Sequence, residues 1–290
     1  MPPALRRLLP FAAGLTLLAA VGGAAAPDPA PAVAVFLLAG QSNLAGRGAA
    51  SGLPADYPRA SDRVRLDYVC SFGAKGAGGP PEPHRSGGWV PVRPSPKHAS
   101  TPEGHFGPEI GFARILADRQ PARPIALIKH GRGATSLAVD WDPAAASGPR
   151  HYAEFVAQAR AALRRLAAEG ARVELAGFVW CQGEADSTRP DWAEAYGRNL
   201  AALIARVRED FAAPGLPVLV VLSGDNPADP RRRHAAVVRA AQRAVVARDP
   251  RAALVAGDDL TLFDDVHYDA PSQRELGERL GRAYVEKFGW

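Results

Sequence analysis

The stretch VAVFLLAGQSN, residues 33–43, decides how the rest of the chain is read. Val33 to Ala39 is apolar at every position, without the alternation of a half-solvated strand, so it is expected as a strand buried on both faces. It runs into Gly40-Gln41-Ser42-Asn43, where a glycine lets the chain turn sharply and leaves three polar residues at the strand's carboxyl end. Similar apolar runs fall at Ile125–Lys129, Val173–Trp180, Val218–Leu222 and Ala252–Ala256, and Val64–Val69 also reads as a strand. Between them, apolar residues three and four apart predict helices over Pro108–Arg119, Tyr152–Ala168, Asp191–Phe211, Ala235–Arg248 and Ser272–Phe288. Strand and helix alternate, which predicts an α/β fold with a parallel sheet covered by helices on both faces.

Composition sets the outer bounds. With 290 residues, 47% hydrophobic and 22% charged, the chain is globular, which excludes a collagen-like, disordered or coiled-coil protein. Residues 33–290 suit a single domain large enough to need no disulfide or metal staple. The net charge of +5 rests on arginine, with lysine only at positions 75, 97, 129 and 287, and acidic residues are interleaved with it. The one dense run, Arg231-Arg232-Arg233-His234, reads as the solvated start of a helix, so no nucleic-acid partner is expected. Residues 1–26 carry a basic flank at Arg6-Arg7, an apolar run from Leu8 to Val21 and small residues to Ala26. That is the pattern of a signal peptide, followed by a linker over 27–32. The run is shorter than the ~20 residues of a membrane span, so a secreted or periplasmic protein without stable membrane insertion is expected. Residues 49–107 form a long Gly/Pro-rich loop region. Cys70 and Cys181 could pair in an oxidising compartment or remain buried thiols. No Cys/His cluster has zinc spacing and there is no His-Glu-x-x-His, so no metal is expected.

Active sites of open parallel sheets lie at the carboxyl ends of the strands. Four polar segments follow predicted strands: Gly40–Asn43, His130-Gly131-Arg132-Gly133-Ala134-Thr135, Gln182-Gly183-Glu184-Ala185-Asp186 and Asp264-Asp265-Val266-His267. Together they allow nucleophilic acyl transfer. A serine hydroxyl needs an imidazole to take its proton, and a carboxylate to orient that imidazole. Ser42 is the candidate nucleophile, His267 the base and Asp264 the orienter; the neighbouring Asp265 aims away and is the weaker choice. Candidate oxyanion donors are the N–H of Ser42, an N–H of Gly131 or Gly133, and the side-chain amide of Gln182. Gln41, Asn43, His130 and Glu184 are expected to touch substrate or support the site. Glu184 and Asp186, on one short segment, do not flank a glycosidic bond as a glycosidase pair would. Trp89, His98, His105 and Trp141 either line a sugar site or pack.

These blocks resemble the signature blocks of the SGNH hydrolases. More narrowly, they resemble the branch holding sialate O-acetylesterases and family six carbohydrate esterases, which include acetyl xylan esterases. The likeness extends through Phe106-Gly107-Pro108-Glu109, Gly133–Trp141 and the Tyr196–Arg208 helix. It implies a three-layer α/β/α sandwich of flavodoxin-like type, an acetylated carbohydrate as substrate and no cofactor. Gln182 stands where the wider superfamily places an oxyanion-hole Asn. Two departures are Ala134 in place of the second glycine of Gly-Gly-Thr, and Leu44 where a Met is usual. Rival readings are a non-catalytic carbohydrate-binding protein on the same fold and an esterase or lipase for non-sugar esters.

Overall fold

The computed structural model describes residues 31–55, 57, 64–71, 83–94, 104–145, 147–148, 150–226 and 229–290. The signal peptide expected over residues 1–26, most of the linker expected over 27–32 and much of the 49–107 region, His98 included, lie outside the described residues.

Six strands form the parallel sheet: β1 (Val33–Gly40), β2 (Val64–Ser71), β3 (Ile125–Arg132), β4 (Val173–Cys181), β5 (Val218–Val221) and β6 (Ala252–Val255). Their order is β6-β5-β4-β1-β3-β2, every neighbouring pair parallel, with His84–Arg85 and Val90–Pro91 added antiparallel on the β2 edge. The helices are α1 (Glu109–Arg119), α2 (His151–Ala168), α3 (Pro190–Asp210), α4 (Ala235–Ala247) and α5 (Ala270–Phe288). From β1 the chain moves to one side for β2 and β3, then to the other for β4, β5 and β6. Loops at the carboxyl end of β1 therefore part in opposite directions, and a crevice opens there.

The all-apolar reading of β1 explains the layers. Successive side chains point to opposite faces of a strand. Ala34, Phe36 and Leu38 join a core with Phe112 of α1 and Leu276 and Tyr284 of α5, while Val33, Val35, Leu37 and Ala39 join a second core with Phe155 of α2 and Tyr196 of α3. The result is helix layers on both faces of the sheet. Phe36 meets the rings of Phe112 and Tyr284 edge-on at 5.1 and 5.0 Å, contacts that each add about 0.5–1.5 kcal/mol to area burial.

β3 runs three residues beyond its expected end at Lys129. Two of its polar residues, Lys129 and His130, are buried with side-chain partners. Lys129 Nζ donates to Glu109 Oε2 at 2.6 Å and to the Ala45 carbonyl at 2.9 Å, and the two charged side chains are 1% and 0% exposed. A scan for apolar runs stops at such residues.

Register settles the cysteines. Cys70, Gly131, Gly40 and Cys181 occupy one row across β2, β3, β1 and β4. Three inter-strand steps of about 4.8 Å put the two cysteines roughly 14 Å apart. A disulfide needs Cα atoms within about 7 Å, so pairing is excluded in this fold and both thiols are free and buried.

Candidate active site

The two glycines of that row seat the turn that carries Ser42. A Cβ on Gly131 would lie 2.6 Å from Ala45 Cα, so the turn Ser42–Ala45 rests directly on the end of the sheet. Gly40 has φ +155, and a Cβ there would sit 2.1 Å from the Cys181 carbonyl oxygen. Within the turn, the N–H groups of Leu44 and Ala45 both reach the Gln41 carbonyl, leaving those of Ser42 and Asn43 without an acceptor inside it.

The second half of the site is the loop before α5. Asp264 Oδ1 accepts the N–H groups of Val266 (2.8 Å) and His267 (2.6 Å), which curls the loop. Asp264 Oδ2 then lies 2.7 Å from His267 Nδ1, and His267 Nε2 lies 2.9 Å from Ser42 Oγ. With Nδ1–H donating to the carboxylate, the Nε2 lone pair faces the serine hydroxyl. Burial alone would raise the Asp264 pKa, but hydrogen bonds from the His267 ring, the His267 N–H and the Val266 N–H outweigh it and hold the carboxyl below the usual range. Asp265 points elsewhere: its carboxylate is 68% exposed and lies 3.8 Å from Arg231. Phe263, 53% exposed, stacks on the His267 ring at 5.8 Å and 19°. Nothing in the sequence pattern marked that residue.

Asn43 clasps the loops together. Its Nδ2 donates to Glu184 Oε1 and to the Val266 carbonyl, both at 3.1 Å, and its Oδ1 accepts the Tyr268 N–H at 3.4 Å. Gln41 Oε1 accepts from Ala185 N–H at 3.4 Å. Gln41, Asn43 and Glu184 are all buried, as expected of supporting residues.

Several expectations need correction. The Gly133 N–H is taken by the Ser71 carbonyl at 3.1 Å, and Gly131 is an interior residue of the β3 ladder, so neither is an open donor. Gln182 spends its amide protons on the Thr135 carbonyl (3.0 Å) and on Asp186 Oδ2 (2.6 Å), while its Oε1 accepts from the Tyr196 hydroxyl at 3.1 Å. It acts as a brace between loops. Asp186, fully buried, is the hub of that brace, also accepting the N–H groups of Leu137 (2.8 Å) and Ala138 (3.0 Å). Burial pushes its carboxyl up to about 6. Ala134 holds φ +58, the left-handed conformation that a glycine adopts without the cost of about 1–2 kcal/mol.

His130 is 1% exposed; it bonds Gln158 through Nδ1 at 2.8 Å, and burial lowers its pKa to about 4. Trp141 and His105 are buried and pack, whereas Trp89 is half-buried with Arg65 over its ring. Nor is Arg232 part of a solvated helix end. It is 6% exposed, pairs with Asp229 at 3.0 Å and donates to the Asp265 carbonyl at 2.8 Å, so it anchors the loop that carries Asp264 and His267.

A profile of the family described as "carbohydrate esterase, sialic acid-specific acetylesterase" matches residues 32–286. The chain belongs to that family. It is therefore a carboxylic ester hydrolase of the carbohydrate-esterase kind, and the likeness read from Gly40–Asn43, Gln182–Asp186 and Asp264–His267 points to the same family. A probable carbohydrate esterase of Arabidopsis thaliana is 26% identical over 277 residues, covering 90% of this chain and 94% of that protein. Its crystal structure superposes with a TM-score of 0.67 at 23% identity, over 89% of this chain and all of that one. A carbohydrate acetylesterase from Xanthomonas citri (TM-score 0.62, 19% identity, 88% of this chain and 56% of that one) and NanS (0.59, 17%, 89% and 98%) share the fold. Among the described residues no helix is long and apolar enough to cross a membrane.

Proposed function

We propose that this esterase removes O-acetyl groups from a carbohydrate through an acetyl-enzyme on Ser42. The observation that carries the reading is the unbroken chain from Asp264 Oδ2 through both ring nitrogens of His267 to Ser42 Oγ, at 2.7 and 2.9 Å. Ser42 Oγ attacks the acetyl carbonyl as His267 Nε2 takes its proton, and the Ser42 N–H at the start of the turn faces the developing oxyanion. His267 returns the proton to the departing sugar oxygen. A water then gives its proton to the same nitrogen, attacks the acetyl-serine and releases acetate. Asp264 holds the imidazole in the required tautomer and stabilises the imidazolium that forms twice in the cycle. The exposed ring of Phe263 beside His267 offers an apolar face on which a sugar ring can lie. The leader-like residues 1–26 support export, where acetylated glycans would be met.

The sialate and xylan readings are separated by an acetate-release screen over O-acetylated sialic acid, acetylated xylan, and acetyl and longer-chain esters of a simple phenol. Release from one of the acetylated glycans, with poor turnover of the longer chains, is the expected result. Preference for long-chain phenol esters over every glycan would overturn the assignment.

A further inference from the structure

On the helical layer around Trp141, one arrangement plays no part in ester cleavage. Gln158 of α2 spends its Nε2 on the Asp67 side chain and on the carbonyls of Asp67 and Lys129, at 2.8, 3.3 and 3.2 Å. Its Oε1 is thereby turned to accept from His130 Nδ1 at 2.8 Å. The proton of His130 is fixed on Nδ1, so Nε2 carries a lone pair. That buried nitrogen has no hydrogen-bond partner. It points into a cluster completed by His151 and Glu154 in the first turn of α2: Glu154 Oε2 lies 3.8 Å from His130 Nε2 and 3.3 Å from His151 Nδ1, and all three ligand atoms fall within 4.8 Å of one another.

We propose that His130, His151 and Glu154 form a binding site for one divalent transition-metal ion of the zinc type. Tetrahedral zinc with bonds of about 2.0–2.1 Å holds its ligand atoms about 3.3 Å apart. The His151–Glu154 separation already has that value, and the His130–Glu154 separation must shrink by about 0.5 Å, a movement the half-exposed Glu154 side chain can supply. The bond from Gln158 to the far nitrogen of His130 is the outer support that zinc-bound imidazoles ordinarily have. Two imidazoles and a single carboxylate suit zinc, whereas calcium and magnesium want several oxygens. Access runs through Glu154, whose side chain is 46% exposed and lines, with Gln158, Asp67, Arg85 and Arg165, a surface cleft that neither histidine borders. On binding, His151 offers its Nδ1 lone pair to zinc and carries its single ring proton on Nε2, so the imidazole stays neutral. The sequence-level expectation of no metal rested on local spacing, and a ligand set drawn from a strand end and a helix start has none.

The full chain, stripped with a chelator and dialysed, is titrated with Zn²⁺ against a chromophoric competitor and with Co²⁺ followed by its visible spectrum. One equivalent should bind, with the intense d–d bands of four-coordinate cobalt, and the melting temperature should climb with Zn²⁺. Substituting either ligand of α2, His151→Gln or Glu154→Gln, should weaken Zn²⁺ about 100-fold or more, beyond the loss usual for an outer-sphere partner, while metal-free Glu154→Gln, changed at a half-exposed side chain, melts like the parent. Those two variants keep the test valid even if His130→Gln fails to fold. Absence of stoichiometric binding would overturn the proposal, as would a Zn²⁺ affinity unchanged in both variants.

Discussion

Gly131→Ala is the most informative perturbation of the platform beneath the nucleophile. The added Cβ would meet Ala45 at 2.6 Å from Cα, 2.7 Å from N and 2.8 Å from Cβ. Ordinary contact begins near 3.4 Å, so either β3 or the Ser42–Ala45 turn must give by about 0.8 Å. β3 is clamped between β1 and β2, and the four-residue turn is the softer partner. A displacement approaching 1 Å at a reacting atom costs about 100-fold in rate. Overpacking should cost about 1–3 kcal/mol of stability, partly offset by the gain of up to ~1 kcal/mol from replacing a strand glycine. The variant should therefore fold, unfold at somewhat lower urea, and hydrolyse p-nitrophenyl acetate with kcat reduced about 100-fold and KM changed far less. Gly197→Ala, on α3, is the control: its Cβ meets only Ala241 of α4, at 3.4 Å from Cβ and 3.9 Å from Cα, so it should leave kcat unchanged and gain up to about 1 kcal/mol. A folded Gly131→Ala enzyme with parental kcat would refute the claim that this contact sets the position of Ser42.

Three further perturbations probe other contacts. Glu109→Gln removes the charge that pairs with the buried Lys129 ammonium and turns its amide NH₂ toward either that ammonium or the Gly107 N–H, and should cost about 3–5 kcal/mol by urea unfolding, much of it recovered in the Glu109→Leu, Lys129→Met double variant. Asp186→Ala strips the acceptor from two buried donors, each worth about 1–3 kcal/mol, and from the part-buried Ala138 N–H, and should lower stability by at least ~2 kcal/mol; a loss under 1 kcal/mol would show that Asp186 is not the hub of that brace. Asp264→Asn should keep the fold but cut kcat by about 10⁴, the cost of the wrong imidazole tautomer. Because the Asp264 carboxyl is held below its ordinary range, its contribution to stability is present above about pH 4 and disappears as pH falls through the lowered value. The melting-temperature gap between parent and Asp264→Asn should thus be constant from pH 7 to 5 and narrow toward pH 3; a gap that widens on acidification would reverse the sign of the argument.

The sheet was legible because its strands are apolar on both faces and the helices between them have clean three-and-four spacing. Errors fell where polar residues are buried with partners far away in sequence. Lys129 looked like the end of a strand because Glu109, twenty residues earlier, cannot be seen as its partner without the fold. Arg232 looked solvated for the same reason: Asp229 is close by, but the Asp265 carbonyl comes from another loop. The His267–Asp264 pair was readable from a spacing of three residues, and Ser42 from its place after β1. Oxyanion donors were not, since whether an amide is open depends on which carbonyl arrives opposite it. Ser71 reaches Gly133, and Thr135 with Asp186 reaches Gln182, and neither meeting leaves a trace in the local sequence.

The central claim is that Ser42 is a nucleophile activated by His267. Incubation with a fluorophosphonate that reacts with activated serines, followed by peptide mass spectrometry, tests it most directly. A single stoichiometric adduct is expected on the peptide containing Ser42, slowed by orders of magnitude in His267→Ala and absent in Ser42→Ala together with ester turnover. A parent enzyme that hydrolyses acetyl esters while its adduct forms on another serine, or a Ser42→Ala enzyme that keeps near-parental turnover, would contradict it.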